Sequence, residues 1–188
     1  MKNKPLPSLP IILTLLFAVF TFSVSAQSTE SELLQSLFQS IDERLEYMDD
    51  VALFKAQNKI PIEDVEREKI VLSDAEQLAA SHGMDPVSIE NFFITQINAA
   101  KAIQYRYRAE LLTREASHPI IDLQSDIRPA LDRLGNDIVT LLATLLQSGL
   151  PIGEESRERF MEALQNPLLA DSEREALFNA LLEVRLSP

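Results

Sequence analysis

Apolar residues return at every third or fourth position through most of this chain, and the breaks in that rhythm divide it into helices. From Leu37 a 4-3-4-3-4 spacing picks out Leu37, Ile41, Arg44, Met48, Val51 and Lys55, one stripe of a helix of the kind that faces a core. Glycine occurs only four times in 188 residues, and no window sustains the two-residue alternation of a strand. The pattern predicts an all-α protein. A first helix starts near Ser28 or Thr29, where Thr29 and Glu32 have capping-box spacing, and ends between Lys55 and Asn58, ahead of Pro61. A second runs from about Ile62 to Ser81 and stops at Gly83. Asp85 as N-cap and Pro86 as first helical residue open a third, which lasts to about Thr113. "SHPIIDLQ", 117–124, reads as a linker. A fourth helix spans about Ser125 to Ser148 and is ended by Gly149 and Pro151. Two shorter helices follow, roughly 154–165 and 172–185, the last opened by Ser172 and Glu175 at capping-box spacing. With a short linker and no internal repeat, about six helices in a single domain is the expectation.

The first stripe contains an anomaly. Two of its six members, Arg44 and Lys55, are cations, and a buried charge without a partner costs several kcal/mol. Eleven residues place them on one face, about 16 Å apart along the helix axis, close enough for long side chains to address a point between them. Ion pairs to a neighbouring helix are the plain alternative, stronger for Lys55 at the helix end than for Arg44 between Ile41 and Met48. The second helix, "PIEDVEREKIVLSDAEQLAASHG", presents Asp64, Arg67 and Glu68 on the side that later turns apolar; taken alone these suit an ordinary salt-bridged first turn. In the third, Gln96 and Gln104 sit on or beside the buried stripe, where an amide needs hydrogen-bond partners. Arg128 falls in the first turn of the fourth helix, where the dipole does not favour a cation.

Charge and composition narrow the options. Lys2 and Lys4, the apolar run "IILTLLFAVFTF" at 11–22 and the small-residue end "VSA" at 24–26 have the layout of a cleavable secretory leader, cut after Ala26. Residues 27–188 then form the mature domain, periplasmic or secreted, without stable membrane association. Losing the leader takes two lysines and no acids, so the formal charge falls from −12 to −14. A surface this acidic argues against nucleic acid and anionic membranes as partners, and leaves any anion site dependent on a local cluster of cations. The absence of cysteine excludes disulfides and thiol chemistry. His82 and His118, the two histidines, show no metal-ligand spacing, and His82 reads as a helix-end residue.

The runs "ERLEYMDDVALFKAQNKIPIEDVERE" (43–68) and "HGMDPVSIENFFITQINAAKAIQ" (82–104) resemble the all-helical, type II chorismate mutases. The leader and extra C-terminal helices are similar to the family's secreted, periplasmic branch, the gamma subclass. The likeness covers about residues 30–135. It rests on the arginine and lysine eleven apart, the D-x-x-R-E at 64–68 and the glutamine of the third helix.

The resemblance implies a fold, a reaction and a site. The reaction is the rearrangement of chorismate to prephenate in aromatic amino-acid biosynthesis, a unimolecular step needing no metal or cofactor. Arg44, Arg67 and Arg128 match arginines that hold the two substrate carboxylates. Lys55 and Gln104 match the residues flanking the ether oxygen, Lys55 also touching a carboxylate. Glu68 matches an acceptor for the substrate hydroxyl, with Asp64 supporting that end. Ala100 departs from the family, several of whose members have a hydroxyl residue there. A homodimer is the family expectation. The competing reading is a non-catalytic periplasmic binding or chaperone-like module whose cations form separate ion pairs.

Overall fold

The computed structural model describes residues 17–116, 118–150 and 152–188. Lys2, Lys4 and the start of the leader's apolar run lie outside them, as do Ser117 in the linker and Pro151 in the fourth-helix stop. Six α-helices follow one another: α1 (Phe17–Gln57), α2 (Val65–Ser81), α3 (Pro86–Glu110), α4 (Arg128–Gln147), α5 (Arg157–Ala163) and α6 (Asp171–Leu182). A π-helical turn, Leu123–Ile127, leads into α4, and a 3-10 turn, Glu154–Ser156, leads into α5. Among the described residues extended pairing is confined to one isolated bridge, Met84 with Leu186.

Helix α1 is the spine, with α3 and α4 packed along it and α2 laid across both of those. Its stripe Leu37, Ile41, Leu45, Met48 and Val51 is buried, as the periodicity requires. Phe38 meets Phe160 of α5 edge-on at 5.1 Å between ring centroids, and Phe160 meets Phe178 of α6 at 5.3 Å. These contacts seat the two C-terminal helices on the same core rather than on one of their own. Arg106 of α3 adds a bidentate pair to Glu173 of α6, both bonds 2.7 Å, with a third bond to the Leu168 carbonyl. The last residues return to the α2–α3 turn, where Asp85 N–H donates to Arg185 O and Ser187 N–H to Gly83 O.

Several boundaries differ from expectation for local reasons. Helix α1 runs back to Phe17, through the expected start at Ser28 or Thr29. No proline or glycine lies between 17 and 57, so the amides that Thr29 was expected to cap are bonded within the helix. Helix α2 begins three residues late because Asp64 is its N-cap, accepting the Arg67 N–H at 3.2 Å. Helix α6 opens at Ala170 rather than Ser172, with the Glu173 carboxylate accepting the Ala170 N–H at 2.7 Å. Alanine has no side-chain acceptor, so this is half a capping box.

The expected stops hold where the backbone demands them. Gly83 and Gly149 adopt φ +72° and +69°, a region costly for any residue with a Cβ. Nothing lies within 4 Å of where a Gly83 Cβ would stand. Gly83→Ala should therefore cost only the backbone term, about 1 kcal/mol. Thermal unfolding should shift down by about 2–4 °C, with turnover unchanged.

Candidate active site

All seven side chains singled out by the sequence, Arg44, Lys55, Asp64, Arg67, Glu68, Gln104 and Arg128, line one cavity. It holds about 640 Å3 of empty space, its open side included. Met48, Val51, Ile62, Ile97, Ala100 and Leu123 are among its apolar walls. Each polar group arrives from a different local cause. Arg44 and Lys55 come from the buried stripe of α1. Asp64, Arg67 and Glu68 come from the N-cap and first turn of α2, Gln104 from the core face of α3, and Arg128 from the first residue of α4.

The cations are not equivalent. Arg128 pairs with Asp64 at 2.7 Å and also donates to the Gln124 side-chain oxygen at 3.0 Å. Arg67 pairs with Asp132. Arg44 is buried at 5% exposure, its Nε has no hydrogen-bond partner, and its guanidinium lies 5.7 Å from the centre of the Phe93 ring. Burial, then the neighbouring Arg67 charge, pushes its pKa down to about 10, against a smaller opposing pull from Asp132. Lys55, 6% exposed, has Nζ on the Ile62 carbonyl at 2.5 Å. Its pKa is drawn below that of a free lysine by burial, which the Asp64 charge partly offsets. So two of these four sequence-predicted cations are ion-paired, and the two deepest form no ion pair among the described residues.

The short loop between α1 and α2 builds part of this geometry. Lys59 takes a left-handed conformation, φ 55°, at the end of α1, and Ile60 N–H closes back onto the Lys55 carbonyl at 2.8 Å. The turn swings Ile62 under the helix end, where its carbonyl meets the Lys55 ammonium. Gln104 is buried, with Nε2 bonded to the Ala100 carbonyl at 3.2 Å and to the Met48 sulfur at 3.4 Å. Its Oε1 has no partner. A thioether is a weak acceptor, so one amide hydrogen is available to a better one. Gln96, expected to find partners, is fully buried with neither amide atom bonded, and it does not line the cavity.

Two charged residues were not anticipated. Lys101 lines the cavity and holds Glu68 at 3.1 Å. Asp132 holds Arg67 from α4. Their one sequence signal was spacing, Lys101 three residues before Gln104 and Asp132 four after Arg128. Five cations and two carboxylates line the cavity, an excess of three positive charges on a chain of net charge −12. Such a pocket suits a small dianion with apolar parts. Neither histidine lines it. His82 caps α2 through its backbone, and His118 sits beside Tyr107 and Asp50.

Residues 32–105 match the sequence profile of the family Chorismate mutase type II. The monofunctional chorismate mutase of Enterobacter agglomerans is 35% identical over 164 residues, which is 87% of this chain and 90% of that protein. The secreted chorismate mutase of Yersinia pestis is 36% identical over 146 residues, 78% of each chain. Its crystal structure superposes with a TM-score of 0.76 over 81% of this chain and 98% of that one. The alternative of a non-catalytic binding module finds no support in these likenesses. Identity of this depth, across most of both chains and on a similar fold, makes this chain a chorismate mutase of the all-helical type II family, an isomerase that rearranges chorismate to prephenate.

Proposed function

We propose that Arg44, Arg67 and Arg128 bind the two carboxylates of chorismate, that Lys55 and Gln104 donate to its ether oxygen, and that Glu68 accepts a hydrogen bond from its hydroxyl. Asp64 supports that end by holding Arg128. The single observation that carries this reading is that Arg44 and Lys55 are buried in one cavity and neither forms an ion pair among the described residues. A protein retains such an arrangement at a cost, and a dianionic ligand offsets it.

The chemistry follows from the reaction's form. One C–O bond breaks while one C–C bond forms within a single molecule, so no group on the protein has to attack or exchange a proton. Catalysis is then folding the substrate and stabilising charge that grows on the ether oxygen. Guanidinium forks fix carboxylates in orientation as well as position. Lys55 and Gln104 meet the growing charge as donors already in place, Lys55 held by the Ile62 carbonyl and Gln104 by the Ala100 carbonyl. A millionfold acceleration corresponds to roughly 8 kcal/mol of transition-state stabilisation. Ala100 has no hydroxyl to offer a carboxylate; the cavity places Lys101 beside it.

The test is loss of chorismate absorbance with the full-length chain expressed for export, followed across pH. An amide donates at any ordinary pH, so turnover should be level between about pH 5 and 8. The sign on the alkaline side is fixed. Lowered cation pKa values mean that the charged form is lost as pH rises, so activity should fall there, earlier than the value of a free lysine. A steep fall from pH 5 to 7 would remove Gln104 from the ether oxygen. Absence of turnover in a folded, helical protein would remove the assignment of the site.

The same reading extends to location and assembly. The leader is removed after Ala26 and the mature enzyme is exported, in keeping with the secreted relative of Yersinia pestis. Among the described residues no helix is long and apolar enough to cross a membrane. N-terminal sequencing of the protein recovered from periplasm or medium tests the cleavage site. The enzyme works as a homodimer, which light scattering tests.

A further inference from the structure

Two ion pairs cross from α2 to α4 beside the cavity. Asp64 and Arg67 stand three residues apart at the start of α2, while Arg128 and Asp132 stand four apart on one face of α4. Arg128 takes Asp64, and Asp132 takes Arg67. Three members of this quartet already have a part in binding chorismate. Asp132 does not, and it does not line the cavity. It lies in the adjoining cleft with Asp74, Asn136 and the other side of Arg44, and reaches Arg67 from behind.

Arg44 lines both spaces, which puts Asp132 next to two arginines whose charges oppose each other. The field reflects this: the Arg67 charge lowers the pKa of Arg44 and the Asp132 charge raises it. Arg44 is fixed by burial, whereas the Arg67 side chain is 23% exposed and borders solvent. Coulomb repulsion alone would send it there. A carboxylate outside the cavity is positioned to prevent this without occupying the substrate's place. A guanidinium has five N–H donors, and the one bond to Asp132 leaves Arg67 others to direct inward.

We propose that Asp132 is a positioning residue for substrate binding, which holds Arg67 beside Arg44 so that both guanidinium groups face the cavity together. This rests on the assignment of Arg67 to a chorismate carboxylate. Because Asp132 reaches Arg67 from the adjoining cleft, it stays in place throughout turnover.

The experiment compares chorismate kinetics of the full-length wild type, Asp132→Asn, Asp132→Glu, Arg67→Ala and the Arg67→Ala/Asp132→Asn double variant. Asp132 is half exposed, so these changes leave the helices intact, which far-UV circular dichroism checks. Arg67 is expected to hold ground state and transition state alike, so Asp132→Asn should raise KM about tenfold with kcat within about threefold. Asp132→Glu, which restores the charge, should return KM to within about threefold of wild type. In the Arg67→Ala background the Asn change should move KM by less than about twofold, because its effect passes through Arg67. An unchanged KM in Asp132→Asn, a lowered KM, or an equal rise with and without Arg67 overturns the proposal while leaving the site itself standing. A wild type that does not turn over chorismate overturns both.

Discussion

Lys55→Ala is expected to lower kcat for chorismate by about 100- to 1,000-fold while KM changes far less. The size is that of removing one preorganised donor from a developing oxyanion, about 3–4 kcal/mol. The asymmetry follows from when the charge exists. The ether oxygen of the ground state is a poor acceptor and gains negative charge only as its bond to the ring breaks, so most of the lost interaction belongs to the transition state. Lys55 is 6% exposed and its ammonium is anchored by the Ile62 carbonyl, which makes it a fixed charge rather than a mobile surface lysine. Folding should be little affected. The substitution removes packed methylenes, which destabilises, and also removes a buried charge, which stabilises. The check is steady-state kinetics beside thermal unfolding of the same preparation. Turnover within about threefold of wild type would place the chemistry somewhere other than the end of α1.

The second large effect runs in opposite directions for stability and activity. Arg44→Met should make the empty protein more stable while lowering kcat/KM for chorismate by at least about 100-fold. The displacement of the Arg44 pKa to about 10 means that its charge costs stability at every pH below that value. The cost is on the order of 3 kcal/mol at 1.36 kcal/mol per pH unit. Methionine has similar length, no charge and tolerance for irregular space, so the cost disappears. The contact with Phe93 is lost with it, worth about 1 kcal/mol or more in a desolvated setting. The net gain should be about 1–2 kcal/mol, an upward shift of about 2–8 °C in Tm. Chorismate should raise the Tm of the wild type, since a ligand bound only by the native state stabilises it. It should do so much less in the variant. A variant less stable than wild type would show that Phe93 and the surrounding field already compensate Arg44, and would remove the argument that this site is built around a missing anion.

The helices themselves were written in the chain. The buried stripe of α1, the stop at Gly83, the Asp85–Pro86 start of α3 and the stop at Gly149 depend on interactions within about four residues, and each stands where periodicity or backbone freedom puts it. So did the principal candidates for the site, because a cation on an apolar stripe contradicts its own helix and can be noticed without any neighbour. Where boundaries moved, several local partners competed for one group. Asp64 took the α2 amides that an earlier start would have left free, and Glu173 took the Ala170 N–H in place of the expected Ser172 cap. Continuous helix through Thr29 left its capping partners already bonded.

What the sequence could not contain was the choice of partner between helices. Asp132 and Lys101 break no rule of their own helices; each is a partly exposed charge of the commonest kind, and only the packing of α4 and α3 against α2 sets one on Arg67 and the other on Glu68. The same packing decided which cations are neutralised and which are left for a ligand, since Arg128 found Asp64 while Arg44 and Lys55 form no ion pair among the described residues. The sequence by itself determined the helices and which side chains are out of place on them, because periodicity, caps and turns act over a few residues. The tertiary structure alone decided which of those charges stay unpaired, because Coulomb and desolvation energies depend on distances between helices that are far apart along the chain.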